Sequence, residues 1–398
     1  MKRRWIRVLA VLLLSAVLLP LSGRAAPAEE TGIPIIIGTG IKEQPKAEVQ
    51  IPWDDGWFEE DPAAYRHDLA LAAMGLSGAA YVRTDRGISA RAALEDLGFG
   101  HLKSYHYQLT LESGGQTAYT FGVKTLRDGK GKSFRLIAVV VRGTGEYMEW
   151  AGNLNVGTGL VHAGFDEAGN ELMANLKRYL AENGGEDPVK FLITGHSRGG
   201  AVANLTAARL VKKGLAEKEN VYAYTFAAPA VSADAAEEGY ENIFNMINEA
   251  DLVPRVPLQD WGYRRYGVDV PLPAADGEED GYGALFEKMD RQYTALTGQP
   301  YAVYQDEAAV DKITSALGRL IPTVPGENME MIAALLGGDL EGLSDLARQN
   351  GLAAILLGRT ALQVSSELTP LLQRERPGMV SAHCMAGYYC WLSACSPG

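Results

Sequence analysis

Between residues 131 and 283 the chain alternates between two hydrophobic patterns. Short, nearly continuous apolar runs predict strands buried on both faces, as in parallel sheets. Longer stretches with apolar residues three or four apart predict helices between these strands. The alternation therefore predicts an α/β fold with a mostly parallel central sheet and helices on both faces. The predicted strands are 134–141, 189–194, 221–227 and 243–248, and the predicted helices are 162–181 and 198–213.

The chain before this block has weaker patterns. Residues 27–60 are rich in proline, glycine and acidic residues, which predicts an irregular lead-in. Asp61-Pro62 predicts a helix start, because aspartate caps helices and proline suits the first helical position, and this helix should run to about residue 75. Ser89 predicts the cap of a second, short helix. Residues 105–124 predict two strands joined by glycines.

Residues 284–376 have mainly helical patterning, interrupted by prolines. We interpret this stretch as a helical insertion that packs on the sheet domain. Its apolar positions form either ordinary core or a substrate channel. The sequence thus divides into a signal segment (1–26), a lead-in with the first strands (27–130), the strand–helix core (131–283), the insertion or cap (284–376) and a C-terminal segment (377–398).

The first residues have the pattern of an export signal. Residues 2–7 carry four basic side chains, residues 8–19 are apolar except for Ser15, and the small residues Gly23, Ala25 and Ala26 follow. That order is typical of a secretory signal peptide. The alternative is an uncleaved membrane anchor, but the apolar run is shorter than the roughly 20 residues that span a bilayer. We therefore expect a secreted or extracytoplasmic protein.

Charge and cysteine content argue against some classes of function. The formal net charge is −12, and removing the five positive charges of residues 1–26 would take it to −17. So acidic a protein is not expected to bind nucleic acid, which requires basic surfaces. The three cysteines, Cys384, Cys390 and Cys395, lie in the last fifteen residues, at spacings unlike zinc-ligand motifs. They are either free thiols or include one bridge, Cys390 to Cys395.

The strongest chemical signal is the motif Gly195-His196-Ser197-Arg198-Gly199-Gly200. It lies between a predicted strand and a predicted helix, the context that a nucleophile elbow requires. Such a sharp turn raises the serine hydroxyl above the sheet edge, and Gly195 and Gly199 avoid the clash that a Cβ would make. An ordinary glycine-rich turn is the alternative. We predict that Ser197 is a nucleophile, with His196 packed beside it in the elbow.

A serine hydroxyl needs a base, usually a histidine held by a carboxylate. After an elbow of this kind the chain order is serine, acid, histidine. Asp251 directly follows the strand 243–248 and so lies at the same sheet edge as Ser197. His383 is the only histidine beyond Asp251. We predict the triad Ser197, Asp251 and His383, with His383 between a loop at Pro377-Gly378 and a helix from residue 384.

His162 is the competing candidate for the base. It opens a predicted helix and precedes Ser197, so its use would require the order histidine, serine, acid. We interpret His162 as a structural residue. The oxyanion of a tetrahedral intermediate needs backbone donors, and we assign these to Arg198, directly after the nucleophile, and to Thr144, which follows the strand 134–141.

Together these residues resemble the class 3 lipases, the family that includes the triacylglycerol lipases of filamentous fungi. The resemblance implies an α/β-hydrolase fold, hydrolysis of acyl esters, no metal or other cofactor, and a short lid at about residues 145–157. Trp150 then occupies the place of a lid tryptophan, unless it is a core residue. The matching motifs are Val139-Val140-Val141-Arg142-Gly143-Thr144, His162-Ala163-Gly164-Phe165, the elbow, Tyr224-Thr225-Phe226-Ala227-Ala228-Pro229, residues 248–257, and the chain near His383 and Tyr388.

Two departures from the family pattern bear on the substrate. Fungal members usually carry leucine where this chain has Arg198. The backbone donor is unaffected, but a cation beside the nucleophile weakens the case for long-chain triglycerides. Asp251 and His383 are also far apart in sequence, and the helical insertion between them could cover the site.

We therefore expect a secreted serine hydrolase that cleaves acyl esters of lipid-like substrates, at a lipid interface or in solution, with no obligate protein partner. One alternative is a catalytically silent binding or envelope protein on the same scaffold. Another is a hydrolase of amide or thioester bonds, because a fold alone does not determine the bond that is cleaved.

Overall fold

A computed structural model describes residues 32–108, 116–143, 161, 163–256, 262–272, 279–320, 368 and 370–395. The strands are β1 (Ile33–Gly38), β2 (Lys46–Ile51), β3 (Arg83–Thr84), β4 (Gly87–Ile88), β5 (Gly100–Tyr105), β6 (Tyr119–Arg127), β7 (Ser133–Val141), β8 (Val189–His196), β9 (Val221–Phe226), β10 (Ile243–Asn248) and β11 (Val268–Leu272). The helices are α1 (His67–Ala79), α2 (Ser89–Asp96), α3 (Ala163–Asn183), α4 (Arg198–Lys212), α5 (Glu279–Thr297), α6 (Ala309–Leu320) and α7 (Met385–Cys395). Residues 370–383 are also helical.

A seven-stranded sheet in the order β11-β10-β9-β8-β7-β6-β5 forms the centre of the fold. The strands from β7 to β11 pair in parallel, whereas β6 is antiparallel to β7 and β5 is antiparallel to β6. The carboxyl ends of neighbouring parallel strands meet at one edge of a sheet. The turns that follow β7, β8, β9 and β10 therefore lie side by side.

Alternate side chains of β7 belong to two separate hydrophobic cores. Leu136 and Val140 pack in the core that contains α1, α2 and α7. Ile137 and Val139 pack in the core that contains α3 and α4. This two-sided burial follows from the alternation of side chains along a strand, and it explains why the strand is almost entirely apolar. The predicted mostly parallel sheet with helices on both faces is confirmed.

The lead-in of residues 27–60 contains more structure than its composition indicates. Strands β1 and β2 form an antiparallel hairpin, so the prediction of an irregular segment was wrong. Both strands bury side chains in the core that contains α1, α2 and α7. These side chains are Ile35 and Ile37 of β1 and Val49 and Ile51 of β2. The period-two pattern was present, but each strand is only six residues long and prolines and acids surround it.

Helix α1 begins at His67, five residues later than predicted. The carboxylate of Asp61 accepts a hydrogen bond from the backbone N–H of Ala63 at 2.9 Å, which forms a turn instead of a helix cap. The helix then lies between the hairpin and the sheet, with every residue from Leu69 to Ala79 buried. A Cβ at Gly75 would lie 2.4 Å from the Cγ2 atom of Ile51, so this close approach requires glycine.

Two further differences between prediction and structure concern residues after β10. Strand β11 was not predicted, although it extends the sheet beside β10. Pro377 and Gly378 lie inside the helical residues 370–383, so the predicted loop there was wrong. A Cβ at Gly378 would approach the backbone N of Tyr304 to 2.9 Å, which shows how closely this helical stretch packs on its neighbour. Packing thus outweighs the hydrogen bond that proline removes.

The insertion is described only in part. Helices α5 and α6 and the helical residues 370–383 match the predicted helical character, and residues 321–367 lie outside the described residues. Cys384, Cys390 and Cys395 form no disulfide with one another, and the first two are buried. No helix in the described ranges is both long and apolar enough to cross a bilayer.

We predict that Leu176→Ala lowers the free energy of unfolding by roughly 2–5 kcal/mol, because Leu176 is fully buried in the core between α3 and the sheet. The neighbouring exposed residue gives the control: Lys177→Ala should change stability by less than about 0.5 kcal/mol. Urea denaturation of both variants measures this. Equal stabilities for the two variants would contradict the described packing.

Candidate active site

Ser197 lies in the turn between β8 and α4, with φ at 59° and ψ at −131°. Residues other than glycine rarely adopt a positive φ, and such strain persists only where the surroundings enforce it. The backbone N–H of Ser197 donates to the carbonyl of Phe226 at 2.8 Å, which ties the turn to β9. A Cβ at Gly195 would lie 2.3 Å from the carbonyl oxygen of Gly199, so strand and helix meet here only without side chains.

The structure brings the three predicted triad residues together. The Nε2 atom of His383 lies 3.0 Å from the Oγ atom of Ser197. Its Nδ1 atom lies 2.8 Å from the Oδ2 atom of Asp251. A carboxylate only accepts hydrogen bonds, so Nδ1 carries the proton and Nε2 presents a lone pair to the serine hydroxyl. This arrangement can accept the proton of Ser197.

The carboxylate of Asp251 is held by three hydrogen bonds. Besides His383, the hydroxyl of Tyr388 donates to Oδ2 at 2.9 Å, and the backbone N–H of Val253 donates to Oδ1 at 3.0 Å. Burial raises the pKa of Tyr388 well above its ordinary value, so this hydroxyl keeps its proton. Asp251 is 1% exposed, and a buried charge requires such partners. Tyr388 is part of the family resemblance, but the sequence does not predict its contact with Asp251.

His196 contacts His383, the base of the triad, and Tyr81. Its Nε2 atom lies 2.8 Å from the backbone carbonyl oxygen of His383, and its Nδ1 atom lies 3.1 Å from the hydroxyl of Tyr81. Burial, and then the proximity of His383, lower the pKa of His196 well below the ordinary histidine value. The side chain is therefore neutral. Its position beside the elbow agrees with the sequence interpretation, whereas Tyr81 was not identified from the sequence at all.

Of the two predicted oxyanion donors, the structure describes one. Arg198 is the first residue of α4, where backbone N–H groups have no partner within the helix. Its side chain is buried and donates to the carbonyl of Gly164 at 3.2 Å, and burial lowers its pKa. Thr144 and the lid candidate Trp150 lie outside the described residues, as does His162. Their assigned roles stay predictions.

The elbow after the central strand β8, with an acid after β10 and a histidine later in the chain, lies on a mostly parallel sheet covered by helices on both faces. This is the α/β-hydrolase fold. Residues 137–261 match the family model described as lipase (class 3). The matched segment contains Ser197 and Asp251, whereas His383 follows more than a hundred residues later.

Two named relatives and one solved structure show the extent of the similarity. A Fusarium solani protein named secreted mono- and diacylglycerol lipase 1 is 36% identical over 159 residues, 36% of this chain and 46% of that protein. A lipase of Rhizomucor miehei is 30% identical over 156 residues, 35% of this chain and 42% of that protein. The chain thus spans less than half the length of both. The structure of the Rhizomucor miehei triacylglyceride lipase aligns with a TM-score of 0.38 and 25% identity, over 52% of this chain and 79% of that one.

We predict that His196 makes the fold sensitive to acid. Its pKa is lower in the folded state, so the unfolded chain binds more protons once the pH falls below about 6.5. Stability present above that value is therefore lost as the pH falls towards the folded-state pKa. A His196→Gln variant lacks this loss, and relative to the wild type it should gain up to ~1.4 kcal/mol per pH unit below that pH.

Denaturant unfolding between about pH 7 and 5 measures this difference, because a histidine titrates in that interval. The exposed His101, changed to glutamine, controls for the loss of a histidine as such. Parallel losses of stability in the wild type and His196→Gln would contradict a neutral, buried His196.

Proposed function

We propose that this protein is a serine hydrolase that cleaves acyl esters of lipid-like substrates, with Ser197 as nucleophile, His383 as base and Asp251 as the orienting acid. The observation that carries the proposal is the unbroken hydrogen-bonded chain of these three side chains, 2.8 Å and 3.0 Å long in its two links. The match of residues 137–261 to the class 3 lipase family model supports it. The names of the two relatives support it as well.

The geometry supports a two-step reaction. As Ser197 Oγ attacks the ester carbonyl carbon, its proton passes to Nε2 of His383, and the carbonyl oxygen becomes an oxyanion. Collapse of this intermediate expels the alcohol, which takes the proton from Nε2 and leaves an acyl group on Ser197. Water then attacks the acyl-enzyme and gives its proton to Nε2. The second collapse returns this proton to Oγ and releases the carboxylic acid.

Asp251 remains a carboxylate throughout this cycle. It holds Nδ1–H of His383 and stabilises the imidazolium that forms in each step. We assign stabilisation of the oxyanion to the backbone N–H groups of Arg198 and Thr144. The N-terminus of α4 adds the favourable end of its dipole to this position.

The family match and Arg198 support the proposed substrate class. The relatives are named as a mono- and diacylglycerol lipase and a lipase, which favours esters with an apolar acyl group. A buried guanidinium directly after the nucleophile makes the surroundings more polar than a leucine would, which favours shorter acyl groups or more polar glycerides. We further propose that the protein acts outside the cytoplasm, at lipid surfaces, and that Trp150 forms part of a lid there.

We predict that Ser197→Ala and His383→Ala each lower kcat/KM for a p-nitrophenyl ester by roughly 10⁴-fold or more, and that the double variant is barely worse than either. Residues that act as one unit show this non-additivity. Ser133, at the opposite edge of the sheet, gives the control: Ser133→Ala should retain activity. A folded Ser197→Ala variant, judged by its thermal melt, with near wild-type turnover would refute the nucleophile assignment.

We predict that a substrate panel separates this function from its alternatives. The wild type should hydrolyse p-nitrophenyl esters, and it should cleave mono- or diacylglycerols faster than long-chain triglyceride emulsions. The panel also includes phospholipid, an amide and a thioester, and release of acid is measured for each. Turnover of the amide or thioester alone, or of no substrate by a folded protein, would contradict the proposal.

A further inference from the structure

The hydroxyl of Tyr81 bridges two backbone segments, at Gly143 and at His196. It accepts a hydrogen bond from the backbone N–H of Gly143 at 3.1 Å. Its own proton is shared between the Nδ1 atom and the carbonyl oxygen of His196, both at 3.1 Å. Burial raises the pKa of Tyr81, so the hydroxyl retains that proton. The contact with Gly143 also requires a glycine there, because a Cβ would lie 2.2 Å from the Tyr81 oxygen.

The direction of the remaining hydrogen bond follows from the chemistry of its partners. The backbone carbonyl of His383 can only accept, so the Nε2 atom of His196 carries a proton and donates across the 2.8 Å that separate them. Because His196 is neutral, its Nδ1 atom is then an acceptor for Tyr81. A single directed chain results, from Gly143 N–H to Tyr81, from Tyr81 to His196, and from His196 to the carbonyl of His383.

The ends of this chain are the segments that supply the proposed chemistry. Gly143 directly precedes Thr144, and His196 directly precedes Ser197. His383 ends the helical residues 370–383, where the last backbone carbonyls lack partners within the helix. The ring of His196 also packs 5.0 Å from that of His383 and 5.6 Å from that of Tyr388, measured between centroids.

We propose that Tyr81 and His196 are positioning residues that hold the backbone after β7, the nucleophile and the base at fixed distances from one another. The proposal rests on the ester hydrolysis proposed above. Neither side chain takes a proton from the substrate or gives one to it. They act by fixing the backbone of Gly143 and of His383, and small displacements of reacting groups are known to reduce turnover by as much as about 100-fold.

The test uses Tyr81→Phe, which removes one oxygen atom and leaves the ring. We expect kcat for a p-nitrophenyl ester to fall by about tenfold, with KM within about twofold, because reacting groups are displaced while substrate contacts are kept. Active-site titration normalises the rate to folded enzyme. Tyr179→Phe is the matched control, since this buried tyrosine donates to the carbonyl of His101 at 3.0 Å, away from the site. It should lose stability but not kcat.

A second pair of variants distinguishes the effect of the His196 hydrogen bonds from the effect of its packing volume. In His196→Leu both hydrogen bonds are lost, and kcat should fall at least as far as in Tyr81→Phe. In His196→Gln the side-chain amide offers both a donor and an acceptor, and most of the lost kcat should return. Equal kcat values for these two variants would overturn the proposal, as would a Tyr81→Phe variant that loses stability like Tyr179→Phe but keeps its kcat.

The same assays show which of the two proposals fails. A wild type whose esterase activity disappears in Ser197→Ala upholds the proposed function, whatever Tyr81→Phe does. A wild type without that activity removes the proposed function, and the positioning role with it. Unchanged kcat in Tyr81→Phe beside a Ser197-dependent wild type overturns the positioning role alone.

Discussion

The close approach of strand β8 to helix α4 at Ser197 is the constraint on which the rest of the site depends. The turn holds Ser197 at a φ of 59°, and a Cβ at either Gly195 or Gly199 would lie within 2.5 Å of a backbone carbonyl oxygen. The strained turn is stable because β7, β9 and α4 surround it and the Ser197 N–H is bonded to β9. It directs the hydroxyl to the sheet edge at which the other functional groups converge.

The acid and the base reach that edge from positions 132 residues apart in the chain. Neighbouring hydrogen bonds hold the acid and the base together. The side chain of Asn248 donates to the carbonyl of Ala382 at 2.9 Å and to the hydroxyl of Tyr301 at 3.2 Å. The hydroxyl of Tyr388 in turn joins the acid to helix α7. The first and last of these bonds join the chain before the insertion to the chain after it, and a longer connection between two fixed points adds little loop-closure cost.

The parts of this structure that depend on local sequence patterns could be predicted from the sequence. The apolar runs of β7 to β10 and the glycines around Ser197 are such patterns. Chain order selected His383, and chain order together with the position after a predicted strand selected Asp251. The hairpin of β1 and β2 was not predicted because each strand is short. The start of α1 was predicted too early because Asp61 caps a turn. Tyr81 gave no signal at all, since its contact with His196 joins residues 115 positions apart.

A fluorophosphonate probe tests directly whether Ser197 is an activated nucleophile, without any assumption about the natural substrate. The probe forms a covalent bond with a serine only where a neighbouring base has activated it. Labelling of the purified wild-type protein, followed by peptide mapping by mass spectrometry, should place one adduct on Ser197. Native, folded protein that remains unlabelled, or an adduct on a different serine, would contradict the account.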